Sequence, residues 1–244
     1  MLNFEVDQIM KRIKWKLFIA GAIAFIAGFL STLRSAHAQP VDRFDTKARE
    51  SFFAGFGGNK DALARGMKAS EEVLAGNPKH PEALVWHGSG LTFQAGQAFS
   101  TGDQQKGMEL WTKGLKEMQT AVDLAPESPA VLIARGADLL RSSRYVSDPE
   151  YAQSLVKDGV ADYEHVYRIQ KPIFGTLGTH PRGELLFGIA EGYSRMGDEG
   201  RARVYFEQIR ADLPDTLYAK RATAWLETGK LTETQCIGCH NAHN

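Results

Sequence analysis

The sequence predicts an all-α protein that carries its chemistry on a short C-terminal tail. Three observations lead there. From Asp42 to about Lys230 apolar residues recur at helical spacing, and no stretch alternates as a half-buried strand would. Four prolines, Pro78, Pro126, Pro172 and Pro214, stand where helices should close, 42 to 48 residues apart. The chain holds two cysteines, and both lie within its last nine residues. Composition agrees with a packed core: 43% of residues are hydrophobic, and 29 Lys and Arg balance 29 Asp and Glu. A disordered tail protein, a collagen-like chain and a strongly basic nucleic-acid binder are thereby excluded as classes.

Residues 1–38 read as an export signal. Lys11, Arg12, Lys14 and Lys16 form a basic start, Leu17–Leu30 is apolar, and Ala36-His37-Ala38 supplies the small-residue triplet a signal peptidase accepts. The alternative is a retained N-terminal anchor. The apolar run extended through Leu33 is 17 residues, at the short end for a membrane span. Either reading places the remainder in the periplasm or on the outer face of the cytoplasmic membrane, with membrane contact only through that segment. Removing the signal takes away five basic and two acidic residues and leaves a slightly acidic chain. Nucleic acid is therefore not an expected partner.

Residues 42–231 form the expected helical domain. Its clearest hairpin runs from Glu184 to Leu213. Leu185, Leu186, Ile189, Ala190 and Tyr193 make one stripe, and Val204, Tyr205, Ile209 and Leu213 make another. Between them Gly197 suits a left-handed helix end and Asp198 the next N-cap. Two such helices cannot bury their stripes alone and read as one unit of an array. Ala190, Tyr193, Gly197, Ala202, Phe206, Ile209 and Pro214 together resemble the tetratricopeptide repeat family. The earlier proline-closed segments are degenerate versions of the same unit. That resemblance implies a TPR-like α-solenoid of about four elongated hairpins and a protein-binding role. The family repeat is about 34 residues, so these hairpins carry roughly 8 to 14 extra positions. Ala98–Gly107 and Ser142–Glu150 are the expected extra segments. Phe52, Phe53 and Phe56 are either a docking cluster or the cap of the first hairpin's core, and the second fits ordinary packing better.

Residues 232–244 hold Cys236-Ile237-Gly238-Cys239-His240, the c-type haem attachment pattern. Two thiols three positions apart can form thioethers with the two vinyl groups of one porphyrin, and the adjacent His240 supplies the proximal nitrogen to iron. The tail thus resembles the haem site of c-type cytochromes, which implies one covalent haem c on Cys236 and Cys239. Only four residues follow His240, too few to wrap a porphyrin, so the haem must lean on the array, on a partner or on neither. A zinc site of Cys236, Cys239, His240 and His243, or a redox thiol pair, is the competing chemistry. The distal ligand is not written in the motif. His87, His165, His180 and Met196 are donors within the array, and His180, beside Pro181 after a glycine-rich loop, is the first to test.

No GxGxxG, P-loop, HExxH or GxSxG motif occurs, so an electron carrier or interaction subunit is expected rather than an enzyme. The expectation is an exported haem c subunit that docks onto a larger, membrane-associated redox complex and relays electrons. A periplasmic scaffold or assembly protein with a zinc or thiol tail, and a haem-based sensor, are the alternatives.

Overall fold

The computed structural model describes residues 43–231, and these are all-α: nine α-helices and one 3-10 turn, with no strand among the described residues. The expected export signal and Cys236, Cys239, His240 and His243 lie outside the described residues. In order the helices are α1 (Phe44–Phe56), α2 (Lys60–Gly76), α3 (Pro81–Ser100), α4 (Gln104–Leu124) and α5 (Pro129–Ser142). They continue with α6 (Pro149–Gln170), the 3-10 turn Lys171–Thr176, α7 (Thr179–Arg195), α8 (Glu199–Asp212) and α9 (Leu217–Thr228).

Local chemistry sets these boundaries. Asn59, Asp103, Asp198 and Thr216 each accept a hydrogen bond from the backbone N–H three residues on, at 2.9 to 3.1 Å. Each such cap is worth about 1 kcal/mol. Asp148 caps α6 through the N–H groups of both Glu150 and Tyr151. Pro81, Pro129 and Pro149 begin α3, α5 and α6, where the missing N–H costs nothing. The turn predicted at Met196-Gly197-Asp198 is present, with Gly197 at φ 78°. One expected insertion differs. Ala98–Gly107 is not an added loop: α3 runs through Ser100, α4 starts at Gln104, and Gly102 at φ 86° makes a three-residue turn between them. The extra positions lengthen both helices, because Asp103 caps α4 at once and leaves no loop to form. Ser142–Glu150 does contain a connection, between Ser142 and Pro149.

The short turns fold consecutive helices onto each other as α1–α2, α3–α4, α5–α6 and α7–α8. Each pair's first helix also packs on the first helix of the next pair, from α1 on α3 to α7 on α9. A common spacing underlies this. The second helices carry a small residue followed by buried or partly buried residues four and seven positions later: Gly66, Ser70, Val73; Gly114, Met118, Ala121; Gly159, Tyr163, Val166; Ala202, Phe206, Ile209. The first helices place a small residue between two large ones: Leu84, Gly88, Leu91; Leu132, Gly136, Leu139; Leu186, Ala190, Tyr193; and, on α9, Tyr218, Ala222, Trp225. A small residue lets the crossing helix approach, and the large ones flank it.

Two apolar clusters result. One gathers Phe52, Met67, Trp86 and Met118, the other Tyr163, Leu186, Phe206 and Trp225. Helix α5 serves both, giving Val131 and Leu139 to the first and Leu132 and Leu140 to the second. The FFAGF stretch caps the first core. Phe52 is fully buried and stacked on Trp86 at 5.3 Å, Phe53 meets Trp86 edge-on, and Phe56 packs on Phe93. Burying a side chain of that size is worth about 1.5–3 kcal/mol. The α3–α5 joint is polar: buried Asp138 accepts from Thr92 at 2.9 Å and pairs with Arg141, whose guanidinium lies 4.7 Å from the Phe56 ring.

Candidate functional site

Helix α9 leads towards the cysteine-bearing tail, so its surroundings matter most. The helix ends at Gly229, in the left-handed conformation at φ 67°, whose N–H donates to the Trp225 carbonyl at 2.7 Å. A side chain there would be strained, and the turn it permits lets Leu231 pack against the C-terminal core.

His180, the donor singled out above, lies in the first turn of α7 against α9. Its Nδ1 is 2.8 Å from the Tyr218 hydroxyl and its Nε2 is 3.5 Å from Glu184 Oε2, and its side chain is 54% exposed. Gly183 makes this contact feasible. A Cβ at that position would sit 2.3 Å from the Tyr218 ring, so only glycine lets the ring lie across α7 and bring its hydroxyl to His180. His180 is thus held on both ring nitrogens, by Tyr218 on one side and by Glu184 on the other. Phe187, 6.4 Å from the Tyr218 ring, continues the aromatic surface of the same joint.

The electrostatics of this edge involve the first helix as well. Burial raises the Glu184 carboxyl above its ordinary range; His180 opposes that shift, Asp45 adds to it and Arg49 opposes it. The beginning of α1 therefore lies within electrostatic reach of the beginning of α7. Asp45 is itself raised by burial, against the pull of Arg43 and Arg49, and accepts from Trp86 Nε1 at 3.2 Å. Its own N–H donates to Glu82 at 2.9 Å.

Two guanidiniums on these helices stand out. Arg221 on α9 is 9% exposed and lies 5.8 Å from the Phe187 ring. Arg182 follows His180 on α7. Among the described residues, Arg182 Nε and Arg221 Nε are the buried side-chain nitrogens or oxygens with no hydrogen-bond partner. Buried N–H groups are normally satisfied, so these two are exceptions.

The other donors considered from the sequence do not converge here. His87 is a satisfied core histidine: it is buried, with Nδ1 2.6 Å from Glu117 and Nε2 3.7 Å from Glu71. His165 contacts Glu127 at 2.9 Å, on a different hairpin face. Met196 closes α7 and packs against the C-terminal core. Among the described residues no three His, Cys, Asp or Glu side chains group as a metal site. An open hollow runs along α4 past Gln105, Met108 and Lys113. No described helix is long and apolar enough to cross a membrane.

Tyr218, Glu184, Arg182 and Arg221 went unremarked in the sequence. The meeting of Glu184, Tyr218 and Arg221 depends on how α7 crosses α9, and the local signal is Gly183, a glycine inside a helix. Compared with protein-family models, curated proteins and solved structures, the chain matches none.

Proposed function

We propose that this chain is an exported helical-repeat protein of the tetratricopeptide kind that carries one haem c on its tail, docks onto partner subunits of a membrane-associated redox complex, and relays electrons rather than catalysing a reaction. The observation that carries the reading is the tail sequence: both cysteines of the chain stand as Cys236-x-x-Cys239 directly before His240, downstream of an export signal. Cys236 and Cys239 would hold the porphyrin and His240 its iron. When bound, the haem supplies one-electron chemistry, and the protein supplies attachment, placement and electrostatics.

Residues of the array fit such a group. His180, half exposed beside Tyr218 and Glu184, offers an imidazole, and the guanidiniums of Arg182 and Arg221 suit an anionic edge. The paired helices, with the same spacing of small and large residues in successive hairpins, support the partner-docking half of the proposal. That half rests on fold analogy, whereas the haem half rests on residue chemistry.

The test is the mass and visible spectrum of the full chain made together with haem-attachment machinery, beside a Cys236→Ala/Cys239→Ala variant. One haem added to the wild type and none to the variant supports the proposal. Haem on neither chain removes it and makes zinc content the next quantity to determine.

A further inference from the structure

We infer that Tyr193 is a one-electron redox site: it gives an electron to an outer-sphere oxidant by way of the Tyr205 and Tyr167 rings while Glu164 takes its proton. The hydroxyl proton has a fixed destination. Tyr193 O–H donates to Glu164 Oε1 on α6 at 2.5 Å, and the Arg201 guanidinium on α8 donates to the same hydroxyl at 3.0 Å. A backbone carbonyl would satisfy a buried phenol equally well, but a carboxylate in that place is also a base. Arg201 is held in turn by Asp198 at 2.5 Å, which fixes the charge beside the phenol.

These surroundings select one oxidation route of three. Loss of the electron first leaves a cationic ring. The Arg201 guanidinium, 4.2 Å from the ring centroid, repels such a ring, and Tyr193 is only 3% exposed. Loss of the proton first leaves a phenolate, and burial together with the Glu164 hydrogen bond pushes that ionisation up to about 12. Loss of both at once creates no new charge inside the protein. The Tyr193 O–H bond breaks, an O–H bond forms on Glu164, and one electron reduces the oxidant by one unit. What remains is a neutral phenoxyl radical beside a neutral carboxylic acid, and re-reduction returns the proton to Tyr193.

The electron's way out follows the rings. Tyr193 stacks on Tyr205 with centroids 6.0 Å apart and planes 16° from parallel, and Tyr205 meets Tyr167 edge-on at 6.1 Å. Tyr205 and Tyr167 are half-buried, so the series leads from a buried phenol to the surface. The Tyr167 hydroxyl faces the Gln208 amide at 3.2 Å. An amide is no base, so the radical rests on Tyr193 rather than on Tyr167.

The experiment oxidises the full chain with photogenerated ruthenium(III) tris-bipyridyl and follows the tyrosyl radical by transient absorption and electron paramagnetic resonance. Far-ultraviolet dichroism checks the fold of each variant. The inference stands apart from the haem reading, and the same result is expected with or without haem attached. Wild type should show a fast phase with equal rates at about pH 6 and about pH 8, slowed about twofold or more in heavy water. Tyr145→Phe, which removes a hydroxyl from a residue 70% exposed, should keep that phase. Tyr205→Phe should keep it too, because the ring remains. Tyr193→Phe should abolish it. Glu164→Gln, which keeps an acceptor and removes the base, should slow it at least about tenfold and make it rise with pH. If Tyr193→Phe does not fold, Glu164→Gln carries the test alone. A fast phase unchanged in Tyr193→Phe or in Glu164→Gln would overturn the inference. Its loss in Tyr205→Phe would move the radical to Tyr205 and contradict it as well.

Discussion

The α3–α4 and α5–α6 hairpins close differently from α7–α8. In the first two, glycines meet across the crossing. A Cβ on Gly88 would lie 2.7 Å from the Gly114 carbonyl, and the reverse distance is also 2.7 Å. For Gly136 and Gly159 the two distances are 3.0 Å. In α7–α8 the small positions are Ala190 and Ala202, both fully buried, and Tyr193, Phe206 and Ile209 fill the space around them. Two glycines of α7 instead face the preceding hairpin, Gly188 against Tyr163 and Gly192 against Val160. One spacing rule is thus met by two packings: backbone against backbone, or methyl groups and rings.

The sharpest way to break the aromatic packing is Phe206→Ala. Phe206 is fully buried and stacked on Trp225 at 4.5 Å, and its loss should cost about 3–5 kcal/mol. Urea midpoints check it, and a loss under about 1 kcal/mol would mean that the stack carries little. The glycine crossing breaks by the opposite change. Gly114→Ala puts a methyl group 2.7 Å from the Gly88 carbonyl and 2.8 Å from Thr92 Cγ2, and should destabilise by about 1–3 kcal/mol although alanine is the better helix former. An increase in stability would show that the two backbones separate freely. The reciprocal change, Ala202→Gly, should cost about 0.5–1 kcal/mol, chiefly helix entropy. An effect as large as that of Gly114→Ala would erase the distinction between the hairpins.

A smaller effect concerns pH. The Tyr193 hydroxyl is pushed up to about 12, first by burial and then by its hydrogen bond to Glu164. Unfolded tyrosine ionises near pH 10, so between pH 10 and 12 the unfolded chain has released a proton that the native one still holds. The associated stability is complete below pH 10 and is lost as the pH rises towards 12. Tyr193→Phe should flatten that alkaline limb in unfolding measured from pH 9 to 12. An unchanged limb would place the loss elsewhere.

The same contrast explains what could be read beforehand. The α7–α8 hairpin was legible because its crossing residues are the alanines and aromatics of the family pattern, with a left-handed Gly197 and a capping Asp198 between them. In the α3–α4 hairpin the small position is a glycine, which from sequence alone reads as a helix weakener. The extra residues at Ala98–Gly107 looked like loop because Thr101, Gly102 and Asp103 are turn formers, but three residues suffice to turn and the flanks continue as helix. The cap at Asp198 and the closing prolines are local and were legible. The His180–Tyr218 contact and the orphaned Arg182 and Arg221 depend on how two helices 38 positions apart meet, and local spacing carries no signal for that. His87 beside Trp86 was readable as a core histidine, although its partner Glu117 was not.

The central claim is that the tail of this helical array carries covalent haem. Acid–acetone extraction of the full chain, produced with haem-attachment machinery and followed by the reduced spectrum of the precipitated protein, tests it most directly. The account predicts that the α band stays with the protein and disappears in the Cys236→Ala/Cys239→Ala variant. Haem released entirely into the acetone, or never acquired by the wild type, would contradict it.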